Sequence, residues 1–111
     1  MDFTTETKNG IAVIKINVPK ATMERSKDFK EYLNREMSTG QKRIIIDMTD
    51  VNFIDSSFLA TLVSGLKNIM GSKGDIKILG LQSPVRAMFE LTRLYKVFEI
   101  FNTEQDALAS Y

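Results

Sequence analysis

Residues 43–57 read Arg-Ile-Ile-Ile-Asp-Met-Thr-Asp-Val-Asn-Phe-Ile-Asp-Ser-Ser, and this stretch decides the fold class. Three consecutive isoleucines, Ile44 to Ile46, are typical of a strand that is covered on both faces, as in sheets flanked by helices. The apolar residues that follow Asp55 recur at helical spacing and predict a helix that runs to about Met70. A covered strand leading into a helix is the repeating unit of α/β proteins.

Strands and helices alternate on both sides of this stretch. Asn9-Gly10 separates two short extended runs and is a strong hairpin signal, so the sheet should be mixed and not all parallel. The predicted strands lie at residues 3–7, 11–16, 43–48, 75–79 and 97–100, and the predicted helices at about 22–39, 56–70 and 83–94, with a last helix opening near 103. The chain is therefore predicted to be a single α/β domain over residues 1–111, with a mixed sheet of four to five strands and helices packed against it.

The composition excludes several kinds of chemistry. The 111 residues contain no cysteine, no histidine and no tryptophan, so disulfides, thiolate nucleophiles, zinc fingers and histidine-based catalytic triads are impossible. Fifteen basic and 14 acidic residues give a formal net charge of +1. Such a balance favours neither nucleic acid nor an anionic membrane as a partner.

Targeting signals are absent from the sequence pattern. No stretch approaches the roughly 20 apolar residues of a membrane-spanning helix. The first residues show no basic region followed by an apolar run, so no signal peptide is predicted. Together with the lack of cysteine, these features favour a cytoplasmic protein.

Enzyme-like motifs are also missing. None of the six glycines belongs to a G-x-G-x-x-G or G-x-x-x-x-G-K-[ST] phosphate loop. Asp47, Asp50 and Asp55 follow the isoleucine strand and could together bind a hard cation through oxygen. Asp50 also suits a turn and Asp55 a helix N-terminus, where each satisfies local backbone donors. We predict no metal, no cofactor and no enzymatic activity.

The helix that starts near Ser56 is unusual because no charged residue occurs between Ser56 and Leu66. One side of it is predicted to be core and carries Leu59, Leu62, Val63, Leu66, Ile69 and Met70. The opposite side is small and neutral and carries Ser57, Ala60, Thr61, Ser64 and Asn68, with Phe58 at the boundary. Because a surface helix normally carries charges there, this side is predicted to lie against a partner.

Ser56 itself has two interpretations. Asp and Ser are the preferred residues at helix N-termini, so capping alone explains the Asp-Ser-Ser sequence. Alternatively, Ser56 accepts a phosphate, which the free N–H groups and the dipole of the helix N-terminus would accommodate. The phosphate would add about −1.5 to −2 charge to the neutral side. A loss of about 3 kcal/mol would weaken a complex more than about a hundredfold, enough for a switch.

The isoleucine strand and the residues that follow it resemble a known protein family. The isoleucine strand followed by Val-Asn-Phe-Ile-Asp-Ser-Ser at 51–57 and an apolar helix looks like the STAS domain of anti-sigma factor antagonists. Downstream, Asp-Ile-Lys-Ile-Leu-Gly at 75–80, Ser-Pro-Val-Arg at 83–86 and Met-Phe-Glu-Leu at 88–91 continue the resemblance. It covers nearly the whole chain.

The resemblance implies a partner-switching regulator. The unphosphorylated protein would bind an anti-sigma factor that is also a serine kinase, and so free a sigma factor. The kinase would phosphorylate Ser56, the serine directly after the aspartate, and the complex would come apart; a PP2C-type phosphatase would reset it. Asp55 would orient Ser56, and Ser57 would help to cap the helix. The protein would be a substrate of enzymes and not itself an enzyme.

Two positions depart from the family pattern. The usual glycine after the serine pair is Phe58 here, which implies a differently shaped partner surface. In the loop after the second strand, Ala21 stands near a position where members commonly carry an aspartate that contributes to the kinase-contacting surface. The predicted partner-binding residues are Phe58, Ala60, Thr61, Ser64, Ala21 and Thr22.

Two other functions remain open. The chain could be a permanent STAS subunit of a larger assembly, such as a stressosome or a lipid-transport ATPase complex, with Ser56 acting only as a cap. It could also be a small nucleotide-binding or hydrolytic enzyme, which the missing phosphate loop and the missing histidine base disfavour.

Overall fold

The computed structural model describes all 111 residues as seven strands, four helices and one 3₁₀ turn. In chain order they are β1 (Phe3–Lys8), β2 (Ile11–Ile16), β3 (Lys20–Ala21), α1 (Met23–Ser38), β4 (Arg43–Asp47), β5 (Phe53–Ile54), α2 (Ser56–Met70), β6 (Asp75–Leu79), α3 (Ser83–Leu91), the 3₁₀ turn (Leu94–Lys96), β7 (Ile100–Phe101) and α4 (Glu104–Ala109).

Five of the strands form the main sheet, in the order β1-β2-β4-β6-β7. β1 and β2 are antiparallel, and the other neighbours are parallel. The hairpin between β1 and β2 turns at Asn9 and Gly10, with φ of 54° and 75°. Two successive positive φ angles are what a two-residue hairpin loop of type I′ requires, and asparagine followed by glycine tolerates them best. The predicted mixed α/β sheet is confirmed.

The isoleucine strand β4 lies in the middle of this sheet and is buried on both faces. Ile44 and Ile46 point into a large core that is closed by α1, α2 and α3. Ile45 points to the opposite face, where a smaller cluster with Val13 and Ala107 is closed by α4. The strand was predicted to be covered on both faces because it lacks apolar-polar alternation, and the structure confirms this.

Helices α1 and α2 pack closely on one face of the sheet at Gly65. A Cβ atom at this position would lie 2.5 Å from Cδ2 of Leu33, in α1. The absence of a side chain at Gly65 therefore lets the two helices approach. The start of α2 is held beside the start of α1 as a consequence.

The C-terminal third departs from the prediction. α3 ends at Leu91, where the prediction continued it to Leu94. Arg93 adopts a left-handed conformation with φ 60°, which ends the helix, and Phe98 then turns into the core. The last strand is consequently Ile100–Phe101, later than the predicted 97–100.

The last residue of α2 also differs from expectation. Met70 was predicted to lie in the core, but its side chain is largely exposed at the end of the helix. None of the four helices combines the length and the hydropathy needed to cross a membrane.

Candidate functional site

A second, two-stranded sheet positions the site. β3 and β5 pair in parallel, with Lys20 opposite Phe53 and Ala21 opposite Ile54. The N–H of Asp55 also donates to the carbonyl of Ala21 at 3.1 Å. The loops that follow β2 and β4 are thereby joined at the carboxyl ends of two neighbouring parallel strands. This edge is where ligands and partners of α/β sheets commonly bind.

Asp55 is the centre of this junction. Its Oδ1 accepts the N–H of Phe58 at 2.9 Å, which caps the N-terminus of α2. Its Oδ2 accepts the N–H of Met23, the first residue of α1, at 2.8 Å. Thr22 precedes α1 but makes no capping bond with its side chain. One carboxylate therefore caps both helices, because a deprotonated aspartate has two acceptor oxygens.

Ser56 is the first residue of α2 and is exposed. Its hydroxyl makes no hydrogen bond to the protein, and the N–H groups of Ser56 and Ser57 donate to no protein acceptor. Free amides at a helix N-terminus, together with the helix dipole, favour an anion. The geometry therefore leaves room and donors for a phosphate on Ser56.

Ser57 does not cap the helix. Its side chain makes no capping hydrogen bond, and the Asp55 carboxylate takes that role alone. The carbonyl of Ser57 accepts the hydroxyl of Thr61 at 3.2 Å within the helix. The expected contribution of Ser57 to capping is therefore wrong, because Asp55 already satisfies the amide that a cap would use.

Three of the predicted partner-binding residues lie on the accessible side of α2. Ala60 and Ser64 are exposed, and Thr61 is half-buried. Thr61 and Ser64 line a groove of ≈ 240 Å³ between α1 and α2, whose other wall includes Lys30. The neutral side of α2 is therefore one wall of a groove and not an isolated flat face. Thr22, half-buried, lies at the start of α1.

Phe58 does not face a partner, so the prediction for this residue is wrong. Its side chain is fully buried, and its ring stacks on that of Phe29 with 5.0 Å between ring centroids. Helical side chains lean towards the N-terminus of their helix. At the start of α2 this direction brings the Phe58 ring against Phe29 of α1. The spacing of Phe58 from Leu62 and Leu66, four and eight residues on, was a core signal in the sequence.

Ala21 is also fully buried, and the prediction that it contacts a partner is wrong as well. Its backbone carbonyl is taken by Asp55, and its side chain lies in the main core. The reason is the pairing of β3 with β5, which alternates inward and outward side chains and leaves Lys20 exposed instead.

Two apolar residues at the site were missed by the sequence analysis. Met23 is 68% exposed and Phe53 is 49% exposed. Phe53 lines a surface concavity of ≈ 540 Å³ together with Lys20 and Thr22. Exposed apolar side chains beside a neutral helix are typical of a protein-binding surface. No local signal marked Phe53, because only the short β3–β5 pairing turns its ring outwards.

The three aspartates that follow β4 do not converge. Asp47 accepts the N–H of Thr49 at 2.9 Å, Asp50 pairs with Lys15 at 3.4 Å, and Asp55 caps the helices. No group of three or more histidine, cysteine, aspartate or glutamate side chains is placed to hold a metal ion. Each carboxylate has a structural partner of its own.

Comparisons with known proteins agree with this architecture. A family model described as the STAS domain matches residues 2–107. A Thermotoga maritima protein provisionally described as an anti-sigma factor antagonist is 29% identical over 93 residues, 84% of this chain and 79% of that protein. The crystal structure of the Thermotoga maritima protein of that description superposes with a TM-score of 0.87, at 25% identity over 97% of this chain and 92% of that chain.

Two further proteins are similar. The anti-sigma-B factor antagonist of Listeria monocytogenes is 32% identical over 59 residues, 53% of this chain and 52% of that protein. The Bacillus cell fate determinant SpoIIAA, in its phosphorylated form, has a TM-score of 0.75 at 17% identity, with 97% of both chains covered.

Proposed function

The chain belongs to the STAS domain family, and from this premise we propose that it is an anti-sigma factor antagonist that changes partners when Ser56 is phosphorylated. On this proposal residues 1–111 act as one STAS domain without enzymatic activity of its own. The names of the Thermotoga and Listeria relatives support the role. The partner of the unphosphorylated form would be an anti-sigma factor that is also a serine kinase.

The observation that carries the proposal is the free hydroxyl of Ser56. Capping by serine was the competing explanation of this residue, but Asp55 caps α2 and Ser56 caps nothing. An exposed hydroxyl without a structural role, at a helix start with two free N–H groups, is suited to modification. The Bacillus protein of the same fold, which exists in a phosphorylated form, supports this assignment.

The modification transfers one phosphoryl group. The Ser56 oxygen bonds to the γ-phosphorus of ATP held by the kinase, ADP leaves, and the hydroxyl proton passes to the kinase. A PP2C-type phosphatase reverses the change by hydrolysis, which returns the hydroxyl and inorganic phosphate. The free N–H groups at the start of α2 stabilise the phosphate, while the neighbouring Asp55 carboxylate repels it.

The partner surface surrounds this serine. We assign to it the exposed apolar side chains of Met23 and Phe53, with Thr22, Ala60, Thr61 and Ser64 at its polar and neutral border. A docked partner would exclude water from this surface, so a phosphate of about −2 charge on Ser56 would have to be desolvated there. Binding would therefore be lost on phosphorylation.

The first experiment tests the modified residue. The purified chain is incubated with ATP and a serine-kinase anti-sigma factor from the same genome, and the phosphate is located by mass spectrometry. We expect one phosphate on Ser56, none on Ser56→Ala, and full transfer to Ser57→Ala, the matched control. Transfer to another residue, or none with any such kinase, would contradict the proposal.

The second experiment tests the surface by measuring the dissociation constant of the complex with the kinase. Phosphorylation is expected to weaken binding more than about a hundredfold. Phe53→Ala and Met23→Ala should each weaken it about tenfold, since truncating a buried apolar anchor costs more than about 1 kcal/mol. Met70→Ala, an exposed methionine at the opposite end of α2, is the control and should leave the constant unchanged.

The competing function is a permanent subunit of a larger assembly that uses the same surface. Native mass spectrometry of the endogenous protein separates the two. A constant large complex without a phosphorylated fraction would favour the permanent subunit, and two populations that differ by one phosphate would favour the switch.

A further inference from the structure

The edge strand β7 has an unpaired backbone. It bonds to β6 on one side only, where the carbonyls of Glu99 and Phe101 accept the N–H groups of Ile78 and Gly80, both at 2.9 Å. Backbone groups alternate along a strand, so the N–H and C=O of the intervening Ile100 point away from β6. Neither makes a hydrogen bond within the protein. An unpaired edge of this kind is a template for another extended segment.

A shallow groove runs beside this edge. It has a volume of ≈ 430 Å³, and its lining includes Tyr95, Val97 and Ile100. Two of the seven large apolar side chains that are exposed in the protein line this groove, Tyr95 at 49% and Val97 at 52%. A third, Leu91 at 79%, belongs to the same stretch of chain, at the end of α3. Exposed apolar side chains so concentrated mark an interaction surface.

The charge at the groove is positive. Arg86 and Lys96 line the groove and form no ion pair, and Arg86 bonds only to the side-chain oxygen of Asn102, at 3.1 Å. Arg93, three residues before Lys96 in the chain, is exposed and also forms no ion pair. Of the nearby acids, Glu99 is already paired with Lys77, at 3.5 Å, which leaves Glu90. The balance of the whole chain is only +1. Unpaired cations next to an apolar groove complement an acidic segment with apolar side chains.

We propose that the β7 edge binds an extended acidic segment of another protein by adding it to the sheet as a further strand. The N–H and C=O of Ile100 would pair with the backbone of the segment. An apolar side chain would enter the groove at Tyr95 and Val97, and acidic side chains would meet Arg93 and Lys96. The site lies at the sheet edge beyond α3, so it does not depend on the switch proposed for Ser56.

A second copy of this chain is a poorer occupant. A neighbouring copy has two free edges to offer: its own β7, whose cations would repel those of the first copy, and the opposite edge of the sheet, β1. Its acids are already engaged: Glu6 pairs with Lys8, and Asp2, just before the strand, pairs with Arg25. It therefore has no free carboxylate for the cations beside β7.

A peptide titration tests the proposal with the full chain labelled with ¹⁵N. The probe is a capped hexapeptide of alternating glutamate and valine, and the control is the same peptide with lysine in place of glutamate. We expect the acidic peptide to shift the Ile100 amide resonance and to slow its hydrogen exchange about tenfold at saturation. The basic peptide should do neither, because Arg93 and Lys96 repel it.

Variants test the assigned contacts. Lys96→Glu and Arg93→Gly should each weaken binding of the acidic peptide about fivefold, the effect of losing or reversing one exposed charge. Arg93→Gly also suits the left-handed backbone at that position, so the fold is retained. Lys67→Glu, on α2, is the control and should bind as the parent does.

Three results would overturn the proposal. The first is equal binding of both peptides, and the second is resonance shifts that cluster at α2 instead of β7. The third is protection of the Ile100 amide that grows with protein concentration and needs no peptide, which would show that a second copy covers the edge.

Discussion

The carboxylate of Asp55 accepts the N–H of Met23 at 2.8 Å, although the two residues are 32 positions apart in the chain. The other oxygen of the same carboxylate accepts the N–H of Phe58 at 2.9 Å. The first turns of α1 and α2 are therefore held by one side chain, and the orientation of Ser56 relative to α1 follows from it.

Loss of this double cap should measurably lower the free energy of unfolding. Asp55→Ala removes both acceptors and is expected to lower the free energy of unfolding by about 2 kcal/mol, about 1 for each helix. Asp55→Asn keeps one acceptor oxygen and should lose about half as much. Urea unfolding measures both. Thr22→Ala is the control, because the Thr22 side chain makes no capping bond. If Asp55→Ala lowers the free energy of unfolding no more than this control does, the double cap does not stabilise the fold.

The second prediction concerns the buried ring of Phe58. Phe58→Ala should lower the free energy of unfolding by about 3–5 kcal/mol, because it leaves a cavity beside Phe29. Phe53→Ala, the matched change at a half-exposed ring, should cost less than about 1 kcal/mol. Denaturant unfolding of both variants tests this, and equal losses would place Phe58 outside the core.

The close approach of α1 and α2 at Gly65 makes a third prediction. Gly65→Ala should lower the free energy of unfolding by about 1 kcal/mol, because the new methyl group would meet Cδ2 of the buried Leu33 at 2.5 Å. The higher helix propensity of alanine offsets part of this strain. The same change in a Leu33→Ala background should cost less, since the obstructing atoms are gone. A double-mutant cycle measures this coupling, and strictly additive losses would mean that Leu33 is not the obstacle.

Tyr111 should make the stability fall at alkaline pH. Its hydroxyl accepts the N–H of Ile44 at 3.2 Å and lies 2.7 Å and 2.8 Å from the carbonyl oxygens of Ile44 and Asp75, between β4 and β6. Burial, and then the negative charge of Asp75, raise the pKa of Tyr111 above its ordinary value. Above about pH 10 the unfolded chain loses this proton while the folded protein keeps it. The free energy of unfolding should then fall by up to about 1.4 kcal/mol per pH unit from this group.

Tyr111→Phe tests this contribution. At about pH 8 the variant should be less stable by about 1 kcal/mol, because the carbonyls of Ile44 and Asp75 lose the hydroxyl that lies within hydrogen-bond distance of both. The difference between parent and variant should shrink as the pH rises above about 10. Lysines titrate in the same range in both proteins, so only this difference reports on Tyr111. A difference that stays constant with pH would exclude the hydroxyl as the source.

The parts of the fold that were predictable are those with a local physical cause. Asn9-Gly10 sets its turn through its own φ angles, and the run from Ile44 to Ile46 marks a strand covered on both faces. The end of α3 was not predictable, because Leu94 continues the helical apolar spacing and only the left-handed Arg93 interrupts it. At the site, the position of Ser56 at a helix start was predictable. Phe58 was wrongly predicted to bind a partner, whereas its side chain is buried in the core.

The sequence by itself determined the order of the four helices and of the five strands of the main sheet, the family resemblance and the helix start at Ser56, because each depends on residues within a few positions of one another. It did not predict the two-residue strands β3 and β5. Tertiary structure decided the second hydrogen bond of Asp55, the outward ring of Phe53 and the free backbone of Ile100. Each of these depends on which distant segments pair: β3 with β5 at the site, and β7 with β6 alone at the edge. Whether distant segments pair depends on the entropy cost of closing the loops between them and on the apolar surface that the pairing buries. Both quantities involve the whole chain, so no local sequence pattern predicts them.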